Sequence, residues 1–192
     1  MLHPYLDLIR TELNTYIKAK AGIDEEKVIL ASLGRQADEA GLANKIIMSV
    51  VDIVREEWGS TNKEYIRQGG GGYVTQSHPI HFNIHLLFST HAKLDDELEE
   101  MKYLSLVIAF FQIKNYFDTK NTPQLQKLAL DNLSMELFNL NHQEKSALWQ
   151  RIGAPYAPSV LYKLSTLSVQ DTEEQGIHIP EVKDIIRDIA TK

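Results

Sequence analysis

The apolar positions of this chain change period several times, and each change marks a candidate element. From Pro4 to Ala21, the residues Leu6, Ile9, Leu13, Tyr16 and Ile17 recur at helical spacing, with Pro4 in the first turn and Gly22 at the stop. That stripe reads as core packing. Val28 to Leu33 is a short apolar segment, expected as an edge strand. Asn44 to Glu57 holds a run rich in β-branched residues, Ile46, Ile47, Val50, Val51, Ile53 and Val54, with no glycine or proline before Glu57. It predicts a strand buried on both faces, although periodicity alone leaves a helix open. Ile80 to Thr90 alternates as a strand does: Phe82, Ile84, Leu86 and Phe88 face one way, and Asn83, His85, Leu87 and Ser89 the other.

The period then returns to that of a helix. Leu94 to Asn115 is the longest helical candidate, and Asp95, Asp96, Glu97, Glu99 and Glu100 load its first turns with the charge that the helix dipole favours there. From Tyr103 to Ile113 only Ser105 and Gln112 are polar, which predicts burial on more than one side. Tyr116 to Gln126 is a polar connection containing Pro123, and Leu133 to Leu140 reads as a strand. Asn141 with Glu144 three residues later forms a capping signature; Leu148, Trp149 and Ile152 give the apolar stripe, and Gly153 ends the helix. Tyr156 to Ser159 turns the chain into a long strand, Val160 to Val169. Pro180 opens a C-terminal helix with Val182, Ile185, Ile186 and Ile189 on one face. The order predicts an α+β fold, a mixed β-sheet covered by helices, in a single domain spanning 1–192.

One stretch breaks the pattern. Gly59 to Pro79 has little aliphatic content and contains Gly69, Gly70, Gly71 and Gly72 in succession, followed by Tyr73. Four consecutive glycines are costly to order, so residues 59–79 are expected to form a mobile loop or arm. A phosphate-binding loop is excluded by the missing Lys-Ser/Thr after the glycines and by the absence of a strand–loop–helix context.

Composition narrows function mainly by exclusion. The chain has 192 residues and a formal net charge of −6, with a pI near 5.6, whereas nucleic-acid binding calls for a basic face. It has no cysteine, which removes thiol chemistry and disulfides. The longest wholly apolar run, Leu106 to Phe111, is far short of the roughly 20 residues of a membrane span. Met1-Leu2-His3-Pro4 does not open a signal peptide, so assembly in the cytoplasm is expected. His81 and His85 are four residues apart but on a strand, where that spacing spans roughly 13 Å, too far for one ion. The acidic run from Asp95 to Glu100 lacks the alternation and turn glycine of a calcium loop. There is no Gly-x-Ser-x-Gly elbow and no dinucleotide fingerprint, and nothing sets Glu136 and Glu144 across a cleft. No catalytic, cofactor-binding or metal-binding residue is expected.

A resemblance adds what composition lacks. Leu133 to Tyr162 holds a strand, a short helix ending in Leu148-Trp149, then Gly153, then Tyr156-Ala-Pro158-Ser159-Val-Leu-Tyr162 opening another strand. With Pro79 to Phe88 and Tyr103 to Gln112, in that order, it resembles the N-terminal domain family of cap proteins of phage-like contractile injection systems. The resemblance implies a non-enzymatic tail terminator: a homo-oligomeric ring, expected to be a hexamer, on the distal end of the inner tube, touching tube and sheath proteins and anchoring the last sheath layer. Such machines include extracellular phage-tail-like particles and related contact-dependent secretion systems. A baseplate or connector subunit is the nearest alternative, and a metal-dependent hydrolase a more distant one. Within the motif, Trp149, Gly153, Tyr156, Pro158, Ser159 and Tyr162 are expected to be core and corner residues of the fold. The expected assembly segment is the arm holding Gly69, Gly70, Gly71, Gly72 and Tyr73, which is not a hallmark of that family.

Overall fold

In a computed structural model, residues 2–34, 44–55, 64–67, 73–76, 80–91, 97–128, 132–169 and 178–179 are described. Helix α1 runs His3–Ala21, with proline in its first turn. It ends where Gly22 takes a left-handed conformation, φ 67°, and its N–H caps Lys18 C=O. Strand β1 is Val28–Leu30 and β2 is Lys45–Arg55. Asn14 of α1 fixes β1 in place: its Oδ1 accepts from the backbone N–H groups of Lys27 and Val28, and its Nδ2 donates to Val28 C=O. A buried amide therefore has three partners, which is the condition for burying it without penalty.

Two compact units divide the chain: Met1–Arg55 with His81–Ser168, and Glu56–Ile80 with Val169–Lys192. In the second unit, β3 (Glu64–Arg67) and β4 (Tyr73–Gln76) pair antiparallel, and β4 pairs antiparallel with β9 (His178–Ile179). These strands lie within and beyond the stretch expected as an arm; Gly69 to Gly72 lie outside the described residues, as does the helix expected from Pro180.

The first unit is built on a six-stranded sheet in the order β1-β2-β5-β8-β7-β6. Its further strands are β5 (Ile80–His91), β6 (Tyr116–Phe117), β7 (Leu133–Leu137) and β8 (Ser159–Val169). The helices are α2 (Glu97–Ile113), α3 (Gln124–Lys127) and α4 (His142–Ile152). The sheet is mixed: β1 is parallel to β2, while β2–β5, β6–β7 and β7–β8 are antiparallel. Thr90 N–H donates to Pro158 C=O and Ser165 meets Asn83, so β5 and β8 also run in opposite directions.

The pleat separates two cores. On one face, Ile46 and Met48 (β2), Ile84, Leu86 and Phe88 (β5), and Tyr162 and Leu164 (β8) meet Leu13 and Ile17 of α1 and Val107, Phe110 and Phe111 of α2. On the other, Leu87 and Leu161 meet Trp149 of α4. The alternation expected for β5 is therefore the observed one. The expectation for β2 holds only in its first half. Ile46, Ile47, Met48 and Ser49 are buried, but Val50, Ile53 and Val54 are 39–49% exposed. Two causes are visible: β1 ends after pairing Leu30 with Met48, and a bulge at Val51 breaks the register with β5. In α2, Phe110 and Phe111 enter the first core while Ile108 reaches a cavity beside Trp149, so the helix does bury more than one side; Ile113 is 74% exposed.

Candidate assembly face around the Trp149 helix

Helix α4 is defined locally at both ends. Asn141 Oδ1 accepts from Glu144 N–H at 2.9 Å, and Glu144 Oε2 accepts from Asn141 N–H at 2.8 Å, a reciprocal cap. Gly153 closes the helix at φ 72°, its N–H bonded to Trp149 C=O. Between these stops lies a single buried side chain, Trp149. Its ring meets that of Tyr156 at 5.6 Å, yet Tyr156 is 66% exposed, so this tyrosine lies outside the core expected for it. The difference arises because Tyr156 stands on the short irregular link between α4 and β8 and covers the indole from the solvent side.

The remaining motif residues part company across the sheet. Pro158 gives its carbonyl to Thr90 N–H, tying the link to the end of β5. Ser159 begins β8 beside Trp149. Tyr162 lies on the opposite face, 3% exposed, with Phe111 at 4.6 Å and Phe88 at 5.9 Å edge-on. Burial pushes its phenol above the ordinary tyrosine value. The motif therefore spans both cores.

The Trp149 side is loosely filled. A cavity of about 170 Å³ sits where the chain leaves β7 for α4, lined by Leu87, Ile108, Leu148, Trp149, Leu161 and Lys145 among others. A second, of about 320 Å³, lies between β2 and α4, beside Leu33, Val50, Val51, Leu148 and Arg151. Among the described residues the buried Trp149 indole N–H has no acceptor, and the buried hydroxyls of Ser89 and Thr90 have no partner. Gly34 packs so tightly on the end of α4 that a Cβ there would stand 2.1 Å from Ile152 C=O. Neither cavity was legible in the sequence. The only hint was the placing of cations, Lys145 and Arg151, beside the apolar stripe of α4.

The other candidates are dispersed. Gly69 to Gly72 lie outside the described residues; Tyr73 begins β4, in backbone register with Arg67 and Ile179. His85 stacks on Phe138 at 4.9 Å, with Nδ1 4.0 Å from Asp52 Oδ2. The side chains of His81 and His91 lie outside the described residues, as does His78. Among the described residues no three His, Asp or Glu side chains gather as a metal would require. Glu136, on β7, pairs with Lys163 at 2.7 Å on the surface, and Glu144 is occupied in the cap. Among the described residues no helix is long and apolar enough to cross a membrane.

Residues 6–180 match the family described as the Pvc16 N-terminal domain. No curated protein matches the chain. Among solved structures it is similar to the anti-feeding prophage cap, described as that particle's tube-terminating cap, with a TM-score of 0.63 and 15% identity over 96% of this chain and 60% of that one. It is also similar to the sheath/tube terminator, in the extended state, of the extracellular contractile injection system PVC, with a TM-score of 0.56 and 10% identity over 100% of this chain and 64% of that one. At such identities the likeness is one of fold. The chain spans about 60–64% of the length of these two neighbours.

Proposed function

The chain belongs to the Pvc16 N-terminal domain family, and on that premise we propose that it is a structural cap that terminates the inner tube of a contractile injection system. In this reading it forms a six-fold ring on the distal tube end. It stops tube growth and anchors the last sheath layer, with no catalytic step and no cofactor. Its partners are further copies of itself, the tube protein and the sheath protein, and assembly precedes any release of the particle from the cytoplasm.

The observation that carries the proposal is the family match over residues 6–180, joined to a fold shared with two proteins described as a tube-terminating cap and a sheath/tube terminator. Physical chemistry supports it. A closed ring needs two different surfaces per subunit that meet head to tail. The open sheet has two unlike edges, each guarded by a very short strand: three-residue β1 and two-residue β6. Partly uncovered edges lend themselves to strand addition. The segment Gly69 to Tyr73 is the further candidate, ordering on assembly, while Trp149, Gly153, Tyr156, Pro158 and Ser159 hold the scaffold. The test is to tag this chain with a gold-binding peptide in intact particles and locate it by electron microscopy. Label at the tube end opposite the baseplate is expected. Label along the sheath or at the baseplate would reject the role.

A further inference from the structure

We propose that the cavity beneath the β7–α4 connection is a binding site for the carboxyl-terminal end of a partner chain, taking an apolar last residue together with its free carboxylate. The cavity measures about 170 Å³, and an apolar cavity of roughly 150 Å³ holds a benzene-sized group. Leu87, Leu148 and Leu161 supply apolar wall, and among the described residues the polar lining contains Lys145, Asn139 and Ser159 but neither Asp nor Glu. Lys145 and Trp149 stand four residues apart on α4, hence on the same helix face. Among the described residues no carboxylate or carbonyl pairs with the Lys145 ammonium; the Trp149 ring lines the same pocket and reports on its occupancy, its N–H being buried away from the opening. An apolar pocket with a cation in its wall is complementary to a group that is apolar and anionic.

The backbone beside the mouth selects a peptide over a free fatty acid. β6 pairs only with Leu133 and Ser134 of β7. Past Met135, whose N–H goes to Asn115 C=O, the outer edge of β7 has no strand upon it among the described residues. Phe138 N–H donates inward to Leu161 C=O; strand alternation therefore turns the N–H and C=O of Leu137 outward. Leu137 and Phe138, at the mouth, are 46% and 39% exposed. An extended peptide laid on that edge bonds to Leu137, inserts its last side chain between Leu148 and Leu161, and brings its carboxylate to Lys145.

The site goes beyond terminal capping and does not depend on it. The test uses the ¹⁵N-labelled full chain and follows the Trp149 indole N–H signal, with Trp58 as internal control. The probes are acetyl-Gly-Ser-Gly-Leu with a free carboxyl, the same peptide as its terminal amide, and decanoate. The free-acid peptide should shift the Trp149 signal saturably, with a Kd of roughly millimolar or tighter. The amide, and Lys145→Gln with the acid, should each bind about tenfold or more weakly, as expected for losing a charge-assisted bond. Lys145→Arg should retain binding. The proposal is overturned if the amide binds as well as the acid, if the peptide acid gives no saturable shift, or if decanoate binds more tightly than the peptide acid.

Discussion

The two faces of the six-stranded sheet differ in how completely they are filled. On the α1/α2 face, 22 buried side chains among the described residues form one cluster, joined by ring contacts from Tyr16 through Phe110 and Phe111 to Tyr162 and Phe88. On the α4 face the cluster among the described residues holds Leu87, Trp149 and Leu161, with Leu33, Val51, Leu140, Leu148, Ile152, Ala154 and Ala157 partly buried against it, and two cavities flank the helix. Packing at crystal-like density makes a face costly to alter; a loosely covered face retains surface and unpaired polar groups that a partner can complete. The first face therefore carries the larger share of the stability of the fold, and the second is the more tolerant of change.

Mutations can break this contrast, beginning with the largest effect. Phe88→Ala, at 0% exposure in the dense core, should cost about 4–5 kcal/mol, read from urea midpoints. Trp149→Ala should fall at the lower end of the range for large aromatics, about 3 kcal/mol, because the indole already borders empty space and carries an unpaired N–H. A Trp149→Ala cost equal to or above that of Phe88→Ala would erase the distinction. Gly34→Ala forces a methyl group against Ile152 C=O and should cost about 1–3 kcal/mol. Hydrogen exchange should then speed up in α4 while α1 and α2 stay protected; uniform loosening would mean that the faces are coupled.

Smaller effects sharpen the picture. The phenol of Tyr162 is raised by burial, so its contribution to stability is fully present below the unfolded value of about 10. It is lost as pH rises through the higher folded value, because the unfolded chain releases its proton first. Tyr162→Phe should therefore flatten the alkaline limb of a stability–pH curve; an unchanged limb would place the phenol in contact with water. Val54→Lys, at a residue 41% exposed on the open half of β2, should change stability by no more than about 0.5 kcal/mol. The same variant should reduce incorporation into particles; wild-type incorporation would remove that edge from the assembly surface.

What could be read in the sequence was what neighbouring residues decide. The Asn141–Glu144 cap and the Gly22 and Gly153 stops are each settled within four residues, and the structure has all three. The alternation of β5 was equally plain, because both faces of that strand meet a core. β2 was harder. Its β-branched run reads as doubly buried, but the length of β1 and the bulge at Val51, both tertiary facts, leave Val50, Ile53 and Val54 exposed. The parallel pairing of β1 with β2 and the pairing of β4 with β9 depend on partners farther along the chain, whereas β3 and β4 pair locally within the stretch that reads as a loop because of its glycine run. The exposure of Tyr156 and the cavities beside Trp149 arise from how α4 fits its sheet, which no window of sequence contains. The family was legible because three stretches, Pro79 to Phe88, Tyr103 to Gln112 and Leu133 to Tyr162, stand in the order that the family shows.

The most direct measurement of the capping role is the distribution of tube lengths in particles made with and without this chain, scored by electron microscopy. Without it, tubes should be longer and variable, with bare ends from which sheath detaches, and the wild-type chain supplied in trans should restore a single length. Tubes of normal, uniform length with intact ends in its absence would contradict a terminator.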